Sequence, residues 1–315
     1  MTLLIIGRMR SEQFAAEARR QEPAFDIRVW PDPGPRENIR YALAWGPPPG
    51  VLKTFPKLAL IVSVGAGVDH LFDDPDLPDV PSVRYVDPDL TGRMTAYVAL
   101  HVLFHHRRMS EHLEQQAART WNYLPEPAAH EIRVGLMGLG VMGRACAKAL
   151  GVFGYRLRGW SRTEKSISGV DCFAGGAALD AFLADTDILV CLLPLTPATR
   201  GIVNRSLLAG LSRHGRHPRL PGPVLINAGR GGLQIEADIV AALASGKLYA
   251  ASLDVFETEP LPETSSLWRQ PRVVITPHNA AESATESIVR YLFRQIRDFQ
   301  HGRPLQNIVG RSRGY

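Results

Sequence analysis

Cysteine is scarce: Cys146, Cys172 and Cys191 are the three in 315 residues, far apart and without CxxC or Cys/His spacing. That excludes a disulfide framework and a zinc site, and predicts reduced thiols in a core. Long apolar runs are missing as well. Even residues 58–68 fall short of the ~20 apolar residues a spanning helix needs, and Gly65 and Gly67 interrupt them. The apolar start at residues 3–6 has no basic stretch before it and no small-residue cleavage site after it, so it reads as a first strand rather than a signal peptide. These absences predict a cytoplasmic protein with no membrane partner. A dense basic block is also lacking, because 36 Lys and Arg against 31 Asp and Glu leave +5 spread along the chain. Nucleic acid is therefore not implied as a partner. The basic end, residues 310–315, reads as a solvated terminus or subunit contact, with phosphate contact as the alternative.

What is present has the balance of an ordinary globular chain, 45% hydrophobic and 21% charged. Its length favours about two domains of roughly 100–200 residues. Up to about residue 88, short apolar runs at 3–6, 26–30, 41–45, 58–63 and 83–86 alternate with turn-rich and helical stretches. That rhythm is α/β with a parallel sheet. Residues 95–121 contain no Pro or Gly and space Val98, Val102, Leu103, Met109 and Leu113 near the helical period, which predicts one long helix stopped by Pro125 and Pro127. A second series runs through 132–137, 155–160, 187–192, 224–227, 249–254 and 273–276, six strands of a doubly wound sheet. A last helix is predicted over 284–301. Between helix and strand, the basic, Pro- and Gly-rich residues 212–223 read as an exposed loop, whose arginines would repel a metal from its histidines.

Gly138, Gly140 and Gly143 form GxGxxG directly after a predicted strand and at the start of an alanine-rich helix. Placement gives the motif its meaning: the first glycine permits a tight turn, the second lets backbone approach a pyrophosphate, and the third lets helix pack on strand. The helix start adds unpaired N–H groups and a positive dipole, so Leu139, Val141 and Met142 join the expected cofactor contacts. The next strand lacks the terminal acid that would hold the ribose 2′-hydroxyl of NAD. It ends instead in Trp160, Ser161, Arg162 and Thr163, whose donors and guanidinium suit a 2′-phosphate. NADP(H) is the cofactor read here, with NAD(H) the lesser alternative; an Arg162 stacked on adenine or lying in solvent is the competing reading.

Arg230, Glu259 and His278 each follow a predicted strand of this second series. Ligands of open α/β sheets bind at those strand ends. Reducing a 2-oxo acid needs an anchor for the carboxylate, a proton donor for the carbonyl oxygen and a partner for that donor. Arg230 offers a fixed fork of donors, His278 is an acid suited to neutral pH, and Glu259 can orient and charge the imidazole. Singly, each also has a plain reading as a solvated or capping side chain. Asp254 reads either as a turn cap or as a contact to the nicotinamide carboxamide.

With these residues in place, the chain resembles the D-2-hydroxyacid dehydrogenase family, in its glyoxylate/hydroxypyruvate reductase A branch, over nearly its whole length. The resemblance is carried by residues 134–143, 160–162, Leu192, Leu193 and Pro194 with Thr196, residues 227–231, 253–262, Leu267 and Trp268, residues 271–273, 276–278 and the closing 313–315. It implies two Rossmann-like, doubly wound parallel-sheet domains: a discontinuous outer domain (1–98 and 285–315) that binds substrate, and an inner NADP(H)-binding domain (99–284) that forms a homodimer. It gives Arg230, Glu259 and His278 the catalytic roles. Cofactor contacts are implied at Leu192, Leu193, Pro194, Thr199, Ala228, Gly229, Arg230, Asp254 and His278, and substrate contacts at Gly65, Ala66, Gly67, Arg230 and His278. Trp45 lies where the branch lines its substrate pocket, interdomain packing being the other reading. The implied reaction is reduction of glyoxylate or hydroxypyruvate.

Departures from the branch at Asn279, Glu282 and Ser283 bear on substrate more than on reaction type; Ala96 also stands where an acid is common, and the 212–223 loop is longer than usual and expected on the surface. A dehydrogenase for a larger 2-oxo acid is one alternative. A nucleotide-sensing scaffold like the corepressors that share this fold is another, against which stands the want of a partner-docking tail or a separate basic DNA-binding module.

Overall fold

The structure is a computed structural model, and it describes residues 1–310; the basic end at 311–315, with the closing motif at 313–315, lies outside the described residues. The chain divides into two compact units, Met1–Leu90 with the chain from Ser283, and Thr91–Glu282.

In the first unit, β1 (Thr2–Gly7), α1 (Ser11–Gln21), β2 (Asp26–Val29), β3 (Ile39–Trp45), β4 (Leu60–Ser63), α2 (Asp69–Phe72) and β5 (Ser82–Arg84) follow in order. The strands form a parallel sheet in the order β2-β1-β3-β4-β5. β1 and β4 are continuous apolar runs rather than alternating ones because both faces of the sheet are covered.

Next comes α3 (Pro88–His106), then α4 (Met109–Ala117), where the sequence predicts one helix over 95–121. The helix starts earlier because Pro88 sits at its first position, where no N–H is needed, and Asp87 Oδ1 accepts the Leu90 N–H at 3.0 Å as a cap. It breaks because Arg108 takes a left-handed φ of 53°. The break is held from outside the helix. Arg108 donates to Glu111 Oε1 at 2.7 Å and to the Pro125 carbonyl, Arg107 pairs with Glu126 at 2.6 Å, and His106 bonds the Pro127 carbonyl. Met109 and Leu113, expected on one apolar stripe, are consequently exposed.

The second unit continues with β6 (Arg133–Met137), α5 (Val141–Val152), β7 (Arg156–Ser161), β8 (Val170–Ala174), α6 (Leu179–Ala184), β9 (Ile188–Cys191), α7 (Arg205–Gly210), β10 (Val224–Asn227), α8 (Glu236–Ala244), β11 (Ala250–Leu253) and β12 (Val273–Ile275). Its sheet is parallel throughout in the order β12-β11-β10-β9-β6-β7-β8. It holds seven strands where the sequence predicts six; β8 was missed because it is a half-exposed edge strand without a continuous apolar run. The chain winds outward from β6 to β8, returns to β9 beside β6, and winds outward again. Strand order reverses there, which opens a crevice at the carboxyl ends of β6 and β9.

After β12, α9 (Thr285–Gln300) returns to the first unit and packs on α1, burying Ile288, Val289, Leu292, Phe293 and Ile296. The outer domain is thereby discontinuous. Ile308 then bridges Val83 antiparallel at the edge of β5.

Cys146 and Cys191 are buried, and burial pushes both thiols up to about 12, whereas Cys172 on the edge strand β8 is only half-buried, not in the core as expected. The tip of the 212–223 loop is exposed, and its base is fixed by the buried Ser212, which donates to Thr186 O and Asp187 Oδ1 at 2.9 Å. Among the described residues no cluster of His, Cys, Asp or Glu is placed to hold a metal, and no helix is long and apolar enough to cross a membrane.

Candidate active site

The turn between β6 and α5 fits a dinucleotide. Gly138 has φ of 107°, and a Cβ there would sit 2.9 Å from the Leu192 carbonyl oxygen. Gly143 is tighter, since its Cβ would fall 1.8 Å from Gly138 O. Gly140 differs: nothing lies within 4 Å of where its Cβ would be, and as the exposed N-cap of α5 it is capped by no side chain among the described residues. This bare, open helix start is the cradle a pyrophosphate requires. Gly143→Ala is expected to destabilise the fold by about 1–3 kcal/mol or more and to abolish NADPH binding. Thermal melts and cofactor titration check this, and an unchanged Tm would contradict it.

At the end of β7, Ser161 is buried and donates to Thr163 O at 2.8 Å, so its hydroxyl shapes the turn. Arg162 and Thr163 are exposed beyond it, with no acid at the strand end. After β9, Thr199 closes a second turn, donating to Pro194 O at 2.7 Å and accepting the Thr196 N–H at 2.8 Å. Leu192, Leu193 and Pro194 are thereby held beside the glycine turn; Leu192 and Leu193 are the neighbours that a Cβ on Gly138 would meet.

Arg230 follows β10 in extended conformation, with Nη1 donating to Gly229 O at 3.0 Å. Its loop is stitched to the end of β11. Asn227 Nδ2 donates to Gln234 Oε1 at 2.8 Å, and Gln234 Nε2 donates to Val255 O at 2.9 Å. A Cβ on Gly231 would fall 1.8 Å from Phe256 O, so this backbone lies directly on the loop that carries Glu259.

Glu259 Oε2 lies 2.8 Å from His278 Nδ1, and Oε1 accepts the Phe256 N–H at 3.0 Å. Burial alone would raise the Glu259 carboxyl. The bonds from His278 and Phe256, with the charges of His278 and Arg230, outweigh burial and hold it below the ordinary carboxylate range. Glu259 thus pairs directly with His278, and the charge of Arg230, from a third loop, also acts on its carboxyl.

His278 has φ of 52°, a left-handed backbone that costs free energy unless its surroundings fix it. Asp254 is the fixing group. Its backbone carbonyl accepts the His278 N–H at 2.8 Å, and its buried carboxylate accepts Thr276 Oγ1 at 2.6 Å, the Asn279 N–H at 3.0 Å and the Ala280 N–H at 3.0 Å. Of the two readings of Asp254, the turn cap is the one the hydrogen bonds display. Burial pushes this carboxyl up, and the bonds that it accepts only partly offset the rise.

In the first unit, Trp45 ends β3 and Gly65, Ala66 and Gly67 follow β4, the neighbouring strand. The indole lies over the loop: a Cβ on Gly65 would meet Trp45 Cζ3 at 2.7 Å.

Comparison with known proteins agrees with this architecture. The family described as D-isomer specific 2-hydroxyacid dehydrogenase, NAD binding domain, matches residues 99–280. The chain belongs to the D-isomer specific 2-hydroxyacid dehydrogenase family. It is 39% identical over 305 residues to a glyoxylate/hydroxypyruvate reductase A of Klebsiella pneumoniae, covering 95% of both chains. Among solved structures, it is 41% identical to an NADPH-dependent glyoxylate/hydroxypyruvate reductase of Sinorhizobium meliloti in complex with NADP and sulfate, covering 100% of this chain and 99% of that one with a TM-score of 0.93. A probable 2-hydroxyacid dehydrogenase of Rhizobium etli, in complex with NADP, HEPES and L(+)-tartaric acid, is 43% identical with the same coverage and TM-score.

Within this dehydrogenase, sequence reasoning missed the supports of the site. Tyr97 OH lies 2.9 Å from Thr276 Oγ1 and extends the Asp254 cap into α3, and Gln234 ties Arg230's loop down. A buried-facing Tyr followed at distance by Thr carries no local signal.

Proposed function

We propose that this dehydrogenase reduces small 2-oxo acids, glyoxylate and hydroxypyruvate first, using NADPH. The observation that carries the reading is the His278–Glu259 pair at 2.8 Å beside the Arg230 charge, at the ends of strands whose sheet also bears the glycine cradle. NADPH, when bound, supplies the hydride that reaches the 2-carbon. Arg230 binds the 2-oxo acid and polarises its carbonyl through a planar fork of donors. His278 Nδ1 is committed to Glu259, so Nε2 is the ring nitrogen that holds the proton for the carbonyl oxygen. Glu259, ionised at neutral pH, stabilises the protonated imidazole. Gly138, Leu139, Gly140, Val141, Met142 and Gly143 hold the pyrophosphate, with Leu192, Leu193, Pro194, Thr199, Ala228, Gly229 and Asp254 along the same crevice. Trp45, Gly65, Ala66 and Gly67 receive the substrate's carboxylate end.

Because Glu259 holds the ring through Nδ1, Glu259→Gln, which keeps the shape but not the charge, is expected to lower kcat about tenfold or more with the Kd of NADPH near wild type. Steady-state kinetics and a cofactor titration check this, and an unchanged kcat would count against the assigned role.

For the cofactor, exposed Arg162 at the β7 end, where no acid stands, supports a 2′-phosphate contact. Arg162→Ala is expected to weaken NADPH binding about 10- to 100-fold and NADH binding little, as loss of a charge-assisted contact does. Equal losses for both cofactors would exclude that role.

A homodimer through the second unit is supported by Leu100, Leu113 and Trp121, which are 60%, 52% and 100% exposed on and after α3 and α4. A sedimentation mass of a single chain would speak against it. A cytoplasmic setting agrees with the free cysteines.

A panel of 2-oxo acids tests the reading. Substrate-dependent NADPH consumption is expected with glyoxylate and hydroxypyruvate; its absence across the panel overturns the proposal. A larger acid turned over faster would favour the alternative to which the exposed Asn279, next to His278, points.

A further inference from the structure

The loop that follows β4 has a support that the reaction itself does not use. His70, the second residue of α2, lies against the ends of β3 and β4. Its Nδ1 accepts the Gly46 N–H at 3.1 Å. A backbone N–H only donates, so Nδ1 carries a lone pair and the ring proton sits on Nε2. Nε2 is 3.2 Å from Ser63 Oγ, which accepts that proton. The fully buried Ser63 then sends its own proton to the carbonyls of Gly65 at 3.3 Å and Gly67 at 3.5 Å. The imidazole also packs on the Trp45 ring, 4.5 Å between centroids, and Trp45 in turn lies over Gly65.

The consequence for the loop is directional. Ser63 draws in the carbonyls of Gly65 and Gly67, and Arg84 Nη1 draws in that of Ala66 at 3.4 Å. A trans peptide unit points its N–H opposite to its C=O, so the N–H groups of Ala66, Gly67 and Val68 are turned away from these anchors as a set. A run of aligned backbone N–H groups is a concavity for an anion.

We propose that His70 is a positioning residue: as the Nε2–H tautomer it clamps Gly46 to Ser63, and so fixes both Trp45 and the 64–67 loop for the substrate's carboxylate. The proposal rests on the assignment of that loop and Trp45 to substrate binding. His70 has both ring nitrogens engaged and needs no contact with substrate.

The test uses the full-length protein in three variants. His70→Phe keeps a ring against Trp45 and deletes both bonds, Ser63→Ala removes the relay to the loop, and His70→Gln restores a donor and an acceptor. With two hydrogen bonds lost, KM for glyoxylate is expected to rise about tenfold or more in His70→Phe, with kcat and the Kd of NADPH near wild type. Ser63→Ala is expected to raise KM in the same direction, and His70→Gln to recover part of the loss. Hydrogen exchange of the 65–67 amides is expected to quicken in His70→Phe and Ser63→Ala. An unchanged KM in both variants overturns the proposal, as does a parallel loss of NADPH affinity, which would mark general unfolding. If the wild-type protein turns over no 2-oxo acid, the proposed function falls instead. The exchange rates still decide the clamp, and unchanged exchange in both variants overturns it.

Discussion

His278→Ala is expected to lower kcat for 2-oxo acid reduction by about 10²- to 10⁴-fold while leaving NADPH affinity intact. The size follows from the geometry. Nδ1 is spent on Glu259 at 2.8 Å, so a single ring nitrogen carries the proton that the developing alkoxide needs. Water entering in place of the ring is neither oriented nor charged by Glu259. The variant also alters Glu259 itself. Its carboxyl is held down against burial chiefly by His278, so without the ring the carboxyl rises from its wild-type value. In the wild type, a depressed carboxyl contributes stability above the ordinary carboxylate range, and that contribution is lost as pH falls through the lowered folded value. In His278→Ala this acid-side loss is expected to shrink. Steady-state kinetics and Tm measured from neutral pH into the carboxylate range check both statements; a kcat within about tenfold of wild type would remove His278 from the proton-transfer role.

Arg230→Lys is expected to cost about 10²- to 10³-fold in kcat/KM, nearly as much as Arg230→Ala. Lysine keeps the charge but not the planar fork, so the comparison separates bidentate recognition from plain attraction. The Arg230 backbone is extended and pinned through Asn227, Gln234 and Gly231 against the Glu259 loop, which leaves a lysine ammonium no equivalent reach. The loss is expected in both kcat and KM, because the same group holds the acid and polarises its carbonyl. Activity of Arg230→Lys within about threefold of wild type would show that charge alone suffices.

How legible these features were in the sequence depended on whether their cause is local. The glycine turn was readable because Gly138 and Gly143 answer backbone constraints that only glycine meets, which the structure shows as near-contacts, while Gly140 leaves open space at the helix start. Central strands such as β1 and β9 were readable because burial on both faces forces continuous apolar runs. The edge strand β8 was not, since exposure on one side removes that signal. Nor was the break at Arg108, which has no Pro or Gly near it and is imposed by Glu111 and by backbone from residue 125. The proposed catalytic trio was legible as residue types at strand ends, but the pairing of Glu259 with Nδ1 and the Asp254 cap under His278 depend on loops that meet only in the fold. His70 belongs to the same class, because its role rests on which ring nitrogen faces which partner.

Hydride transfer from NADPH to the 2-carbon of an acid is tested most directly with cofactor deuterated at either face of nicotinamide C4, glyoxylate as acceptor, and mass spectrometry of the product. One of the two labelled cofactors is expected to give glycolate bearing deuterium at C2, and the other unlabelled glycolate. Unlabelled product from both, or no glycolate at all, would contradict the account.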